Sequence, residues 1–340
     1  MMKSKILIVT ISSLTATTAI AETRAESAYA HFYGQKRFDN VFSLALNHTS
    51  EMFGEAGQGN LTQLRASGTF IRSGAPSSYG PEEVISFERR ASLGVTQTFS
   101  QLTSAGISYG HTSTTMSNSK KSQGRWYAAH ASQWWNKATV LTDLELMKTN
   151  AARVSRDYLD TDGMRVLTPS QTSGNRYTLS LTWLATPQAM LLASVSKTYA
   201  DDRPSANAET IEGRYFFDST LTALHLKAGF YNDTAQVTKQ TDYGQIIARE
   251  WESQIHQHLN EKVIASVIYR DHFEIENPRS QESVDVHRHS RATQARLRYR
   301  FVTGPITDQV SEIYIFTGQY GSFDKSETIS HLGLGGAYVL

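Results

Sequence analysis

The sequence predicts an all-β chain, an antiparallel up-and-down transmembrane β-barrel of 14 strands with 16 as the alternative. Three observations predict it. Apolar and polar residues alternate in segments of about ten to fifteen residues from Leu61 to Leu340, the period of a strand with two unlike faces. Links between segments alternate between short and long, as when one rim is made of tight turns and the other of loops. Beyond the first 21 residues no apolar run approaches the length of a spanning helix, so any membrane crossing must be made by strands.

Residues 1–21 read as a cleaved signal peptide. Lys3 and Lys5 precede the uncharged stretch Ile6 to Thr18, and Ala19 and Ala21 supply small residues where a signal peptidase reads. Thr10, Ser12, Ser13, Thr15, Thr17 and Thr18 make the stretch too polar for an anchoring helix. Export is the expected fate. Residues 22–60 are ambiguous, because Phe42, Leu44 and Leu46 alternate with Ser43, Ala45 and Asn47, while Phe38, Val41, Phe42, Ala45, Thr49, Met52 and Phe53 form a helical stripe. A plug, a helix or an extra hairpin with Ser27 to Gly34 all fit. The hairpin would make 16 strands, and the preferred reading, with the barrel at 61–340, leaves 14.

Strands are then expected near 61–72, 84–99, 103–116, 123–135, 138–149, 175–185, 189–200, 207–218, 221–232, 244–259, 262–275, 286–302, 309–322 and 329–340. In the second, Ala91, Leu93, Val95 and Phe99 oppose Arg90, Ser92, Thr96 and Thr98; in the sixth, Tyr177, Leu179, Leu181 and Trp183 oppose Arg176, Thr178, Ser180 and Thr182. The seventh to ninth repeat the split, with Leu191, Ala193 and Val195, with Ile211, Tyr215 and Phe217 away from Glu212 and Arg214, and with Leu224, Leu226, Ala228 and Phe230 against His225 and Lys227. In the twelfth, Ala295, Leu297, Tyr299 and Phe301 oppose Arg296, Arg298 and Arg300. Short links fall near Ser100 to Thr103, Asn136 to Lys137, Thr186 to Gln188, Ser219 to Thr220, Asn260 to Lys262 and Thr303 to Asp308, with longer ones between, the longest Asn150 to Gly174. An even count brings the C-terminus back to the side of entry.

Alternation alone also suits a soluble sandwich with its apolar face turned inward. Aromatics near segment ends favour the barrel, as a girdle at the headgroups: Phe99, Trp134, Trp183 and Phe301 at short links, Tyr109, Trp126, Tyr199, Tyr231 and Tyr320 toward long ones. Charges on the polar faces also favour it. Counting from the turn at Asn260 to Lys262 puts Glu250 opposite Arg270 within two residues, and Glu250, Glu252, Arg270, Arg296, Arg298 and Arg300 become candidates to line a lumen. The last segment places Leu332, Leu334, Gly336, Tyr338 and Leu340 on one face and ends on an apolar residue.

That ending resembles the C-terminal assembly signal of bacterial outer-membrane β-barrels, with Tyr338 third from the end and Leu340 where Phe or Trp is usual. The resemblance is porin-like, covers nearly the whole chain after residue 21 and points to no characterised subfamily. It implies residence in the outer membrane of a Gram-negative cell, contact with lipid and lipopolysaccharide, and folding by the barrel assembly machinery.

Chemistry-bearing motifs are few. Absence of cysteine excludes disulfides, thiolate metal sites and a cysteine nucleophile. With 33 basic and 32 acidic residues there is no global field for nucleic acid, and no cofactor motif appears. His111 and Ser113 invite comparison with a hydrolase, but two residues on one strand face stand about 7 Å apart, beyond activating hydrogen-bond reach. His256 with His258, and His287 with His289, lack a placeable third metal ligand. Asp157, Asp160, Asp162 and Gly163 miss the calcium-loop pattern at both ends, at Tyr158 and Pro169. Gly333, Gly335 and Gly336 read as small residues for close packing. The expected function is non-enzymatic: a passive channel for small polar solutes, which the three arginines would bias toward anions. The alternatives are a non-conducting barrel that anchors or exports a surface component or docks a periplasmic partner, and third an outer-membrane lipid hydrolase.

Overall fold

A computed structural model describes residues 22–33, 38–50, 61–76, 83–100, 102–116, 121–151, 173–200, 205–233, 245–277, 286–302, 310–321 and 328–339. The signal peptide, the loop aspartates and Leu340 lie outside these residues, as does nearly all of Asn150 to Gly174.

Sixteen strands run β1 (Glu22–Tyr33), β2 (Phe38–Ser50), β3 (Thr62–Pro76), β4 (Glu83–Ser100), β5 (Thr103–Met116), β6 (Lys121–Trp135), β7 (Val140–Ala151) and β8 (Gly174–Thr186). They continue as β9 (Ala189–Ala200), β10 (Ala206–Phe217), β11 (Thr222–Asp233), β12 (Gln245–His258), β13 (Val263–Asn277), β14 (Val286–Val302), β15 (Val310–Gly321) and β16 (Thr328–Val339). Each pairs antiparallel with its sequence neighbours, and β1 pairs with β16 from Arg24 opposite Val339 to Tyr33 opposite Ser330, closing the barrel. Closure leaves no sheet edge, which in hydrocarbon would cost several kcal/mol for every unpaired backbone group.

The expected count of 14 is therefore corrected to 16: residues 22–33 and 38–50 are a hairpin, neither plug nor helix. The reason is in its side chains. On β1 the inner face is Ala28, Ala30 and Phe32, all buried, while His31 is on the outer face with Tyr29 and Tyr33, so alternation there does not separate oily from wet. On β2, Val41 points inward against Ala30 and Ile71, which creates the apparent helical stripe with Phe42.

Glu22, Val339 and the strand ends joined by the short links 101–102, 136–139, 187–188, 218–221 and 259–262 share one end of the barrel; Ala151 and Gly174, which flank the longest connection, are at the other. The outer face is apolar: Leu93, Ile107, Leu179, Leu181, Val195, Ile211, Val267, Leu297, Ile315 and Leu334 are all exposed. At the terminus end three equivalent cross-strand pairs border this band. Thr62 donates to Gln97 at 2.5 Å, Thr103 to Gln133 at 2.6 Å and Thr222 to Gln257 at 2.7 Å. Each glutamine amide in turn donates to the carbonyl of the next residue, Thr98, Trp134 or His258. Their donors and acceptors are thus satisfied locally, which suits a position between oil and headgroups.

Inside, rings lie flat over glycines. A Cβ on Gly333 would fall 2.1 Å from the Phe316 ring, on Gly335 2.5 Å from Tyr314, and on Gly110 2.1 Å from Trp126, each ring belonging to the directly paired residue. Phe316 belongs to an inward cluster of Phe32, Val41, Ile71, Ile268, Tyr320 and Ile329 spread over β1–β3, β13, β15 and β16.

Candidate functional site

The inner wall of β10 to β15 holds the densest charge. Strand alternation puts Glu212 and Arg214 of β10, His225 and Lys227 of β11, Glu250 and Glu252 of β12, and Arg270, His272 and Glu274 of β13 on one face. Register then decides the pairs. Glu252 stands opposite Arg270 and Glu250 opposite His272, so the expected pairing of Glu250 with Arg270 was two residues off, within its allowance. Glu250 and Glu252 are only 4% and 3% exposed and are surrounded by cations. Arg270 Nε donates to Glu252 Oε2 at 2.7 Å and lies 3.8 Å from Glu250. Lys227 Nζ and His272 Nδ1 are 3.6 and 3.7 Å from Glu250, and His225 reaches Glu212 at 3.1 Å and Glu252 at 4.0 Å. Burying a carboxylate costs several kcal/mol unless countercharges are built around it, and here they are.

The arginines of β14 form a different site. Arg296, Arg298 and Arg300 all face inward, toward the terminus end, opposite Ser266 and Ile264 of β13 on one side and Phe316, Tyr314 and Glu312 of β15 on the other. Arg298 and Arg300 lie 3.6 and 3.9 Å from Glu312, whereas Arg296 lies over the Tyr314 ring at 5.1 Å. Arg298 and Arg300 thus share one carboxylate, that of Glu312. The acidic network beside these arginines is closed on its own cations. Elsewhere the inner wall carries further pairs, Arg90 with Glu88 and Arg176 with Glu145.

All six expected lumen residues share the inner face. Of the expected girdle, Phe99, Tyr109, Trp183, Tyr199 and Phe301 face outward, whereas Trp126 does not: its ring covers Gly110 from inside. Trp134, Tyr231 and Tyr320 also face inward. His111 and Ser113 face outward, opposite Arg125 and Gln123. His256 is engaged through both ring nitrogens, with Ser266 Oγ at 2.7 Å and Gln254 Oε1 at 3.1 Å. Among the described residues, no three histidines or carboxylates converge as metal ligands. The sequence reading missed His225, Lys227 and His272; they sit at alternate positions of amphipathic strands, and only register shows that they meet Glu250 and Glu252.

No protein-family model and no curated protein matches the chain. Its fold does match solved structures. Pseudomonas aeruginosa OccK7 (OpdD) aligns with a TM-score of 0.52 at 11% identity, over 96% of this chain and 99% of that one. A bacterial polysaccharide outer membrane secretin aligns at 0.51 and 11% identity, over 94% and 97%. CdiB from Acinetobacter baumannii aligns at 0.56 and 9% identity, over 93% of this chain and 60% of that one. The chain thus has the closed antiparallel architecture of bacterial outer-membrane β-barrels, porin-like in fold.

Proposed function

We propose that the chain is a passive channel of a Gram-negative outer membrane, admitting small polar solutes with a preference for anions. The carrying observation is the segregation on the inner wall: a neutralised acidic network on β10–β13 beside the arginine strip 296, 298 and 300. A wall built only to seal the barrel would give each cation its own acid, whereas Arg298 and Arg300 share the single carboxylate of Glu312 and keep a field for a passing anion. The apolar outer face, the closed sheet and a strand number wide enough for an aqueous lumen support this reading. Export by residues 1–21 and the assembly signal at Tyr338 and Leu340 belong to the same proposal.

The test is single-channel recording of the folded chain in a planar bilayer under a salt gradient. Wild type should show discrete steps and a reversal potential on the anion side, and Arg298→Glu should move it toward cations with steps retained. A barrel with heat-modifiable gel mobility that never conducts would refute the channel and favour the anchoring or docking alternative.

A further inference from the structure

The wall across the bore from the arginine strip has the opposite composition. Counting round the closed sheet, β6 stands diametrically across from β14. From Ser92 to Thr98, Ser104 to Thr114 and Ser122 to Trp134, the inward positions of β4, β5 and β6 carry no Lys, Arg, Asp or Glu among the described residues. Serine, threonine and glycine supply most of them. A preference for anions does not account for a wall of this kind.

Register sets these residues in rows. Ser92, Gly110 and Trp126 stand side by side across β4, β5 and β6; the next row toward the terminus end is Gly94, Ser108 and Ala128, and the one after it Thr96, Gly106 and His130. In the first and third rows a ring covers a glycine: a Cβ would fall 2.1 Å from the Trp126 indole at Gly110 and 2.5 Å from the His130 ring at Gly106. Thr96 Oγ1 holds His130 Nε2 at 3.1 Å. The middle row has no side chain larger than serine. Glycine inside a strand marks a place where something approaches the backbone closely, and here the chain's own rings do. The half-buried indole therefore lies flush with the wall, and its small neighbours do not rise above it.

A flat ring bordered by hydroxyls matches a pyranose, whose C–H face is apolar and whose rim is made of hydroxyls. At the edges of the strip, Arg65 of β3 stands opposite Gly94, and Glu145 of β7, paired with Arg176 at 2.9 Å, stands opposite His130. One cation and one anion give a charged solute no net attraction, whereas a sugar hydroxyl accepts from a guanidinium and donates to a carboxylate equally well. We propose that this strip binds neutral pyranose sugars, with Trp126 as the main stacking platform and His130 as a second. The two are four residues, about 13 Å, apart along β6, so a short oligosaccharide spans both and a single sugar only one. The site adds a neutral solute class to the anions proposed above, and it rests on the channel reading only for access from the lumen.

The test is isothermal titration calorimetry of the full-length folded barrel in a polyoxyethylene detergent, which has no sugar headgroup. The probes are maltotriose, cellotriose, glucose and mannitol. At least one trisaccharide should bind more tightly than glucose, and mannitol, an open chain with hydroxyls but no ring face, should give no binding heat. Trp126→Leu should weaken the trisaccharide roughly ten-fold, the loss expected for one stacked ring, and Trp126→Tyr should keep most of the affinity. Gly110→Ala should also weaken it, because its methyl group drives the indole off the wall without removing it. Trp251→Leu, which removes an exposed indole from the outer face, should change nothing. Binding of neither trisaccharide, equal binding of mannitol, or undiminished affinity in Trp126→Leu would overturn the site, as would tighter binding of benzyl alcohol, which would assign the platform to aromatic solutes. If Trp126→Leu lacks heat-modifiable gel mobility, Trp126→Tyr and Gly110→Ala decide in its place. Bilayer recording on the same samples separates the two readings: binding by a barrel that never conducts refutes the channel and keeps the site, and conduction without binding does the reverse.

Discussion

Replacing Arg270 by glutamine removes a side chain that bridges both buried carboxylates of β12. After the change Glu250 keeps Lys227 and His272 at 3.6 and 3.7 Å, but Glu252 keeps His225 at 4.0 Å and a hydrogen bond donated by the neutral Gln254 amide, with no full countercharge among the pairs described. Breaking a buried pair from one side costs about 3–5 kcal/mol, because the remaining charge has lost its countercharge and cannot regain bulk water. With Glu252 at 3% exposure the cost belongs inside that range, and about 4 kcal/mol corresponds to nearly a thousand-fold loss in the folding equilibrium. Glu252→Gln should cost less, since Arg270 retains Glu250, and the double variant should recover part of the single loss. Unfolding in urea, with the barrel reconstituted in lipid vesicles and followed by tryptophan fluorescence, reads this as a midpoint lowered by about 1–2 M for Arg270→Gln. A loss below about 1 kcal/mol, with no coupling to Glu252→Gln, would show that lumen water solvates the network and that the pairs are not buried in effect.

Leu179→Arg, mid-strand on the outer face of β8, should destabilise the reconstituted barrel by about 2–4 kcal/mol, whereas Ser180→Arg, inward and opposite Asp143, should be tolerated; equal effects in the unfolding assay would contradict the lipid-facing assignment. Gly318→Ala would place its Cβ 2.1 Å from the carbonyl oxygen of Thr293, a backbone atom that cannot rotate away, and should cost about 1–3 kcal/mol. Gly213→Ala meets nothing within 4 Å and should stay within about 0.5 kcal/mol of wild type, which makes it the control for the same urea titration. Arg298→Glu carries the selectivity prediction made above, and removing the charge alone with Arg298→Gln should give a shift of the same sign and about half the size, read as reversal potential.

Strands with strict alternation were legible in the sequence almost to the residue, as β8 shows with Tyr177, Leu179, Leu181 and Trp183 outward. What escaped was β1, where inner alanines and an outer histidine blur the two faces, and parity offered no help because 14 and 16 are both even. Trp126 escaped for a similar reason: it adjoins Tyr127, and alanines occupy both faces of β6, so aromatic content could not choose between them. His130 and Ser132, at even positions farther along, hold the clue that residue 126 turns inward. Of the site, individual charges on amphipathic strands were visible. Their partnerships were not, because a register error of two residues moves Arg270 from Glu252 to Glu250 while leaving every residue on its own face.

The rings laid over Gly110, Gly333 and Gly335 bear on how wide the passage is. Summing inward side-chain volumes would count Trp126, Phe316 and Tyr314 as obstructions, yet each is accommodated largely in the space its partner lacks. Calibre is therefore a property of cross-strand pairs and not of residues. Enlarging the bore by cutting a ring back to alanine would gain little space, and it would strip cover from a glycine backbone whose hydrogen bonds then meet lumen water. Adding bulk at the glycine would do more with less, since one methyl group would swing a whole ring off the wall and into the path of the solute.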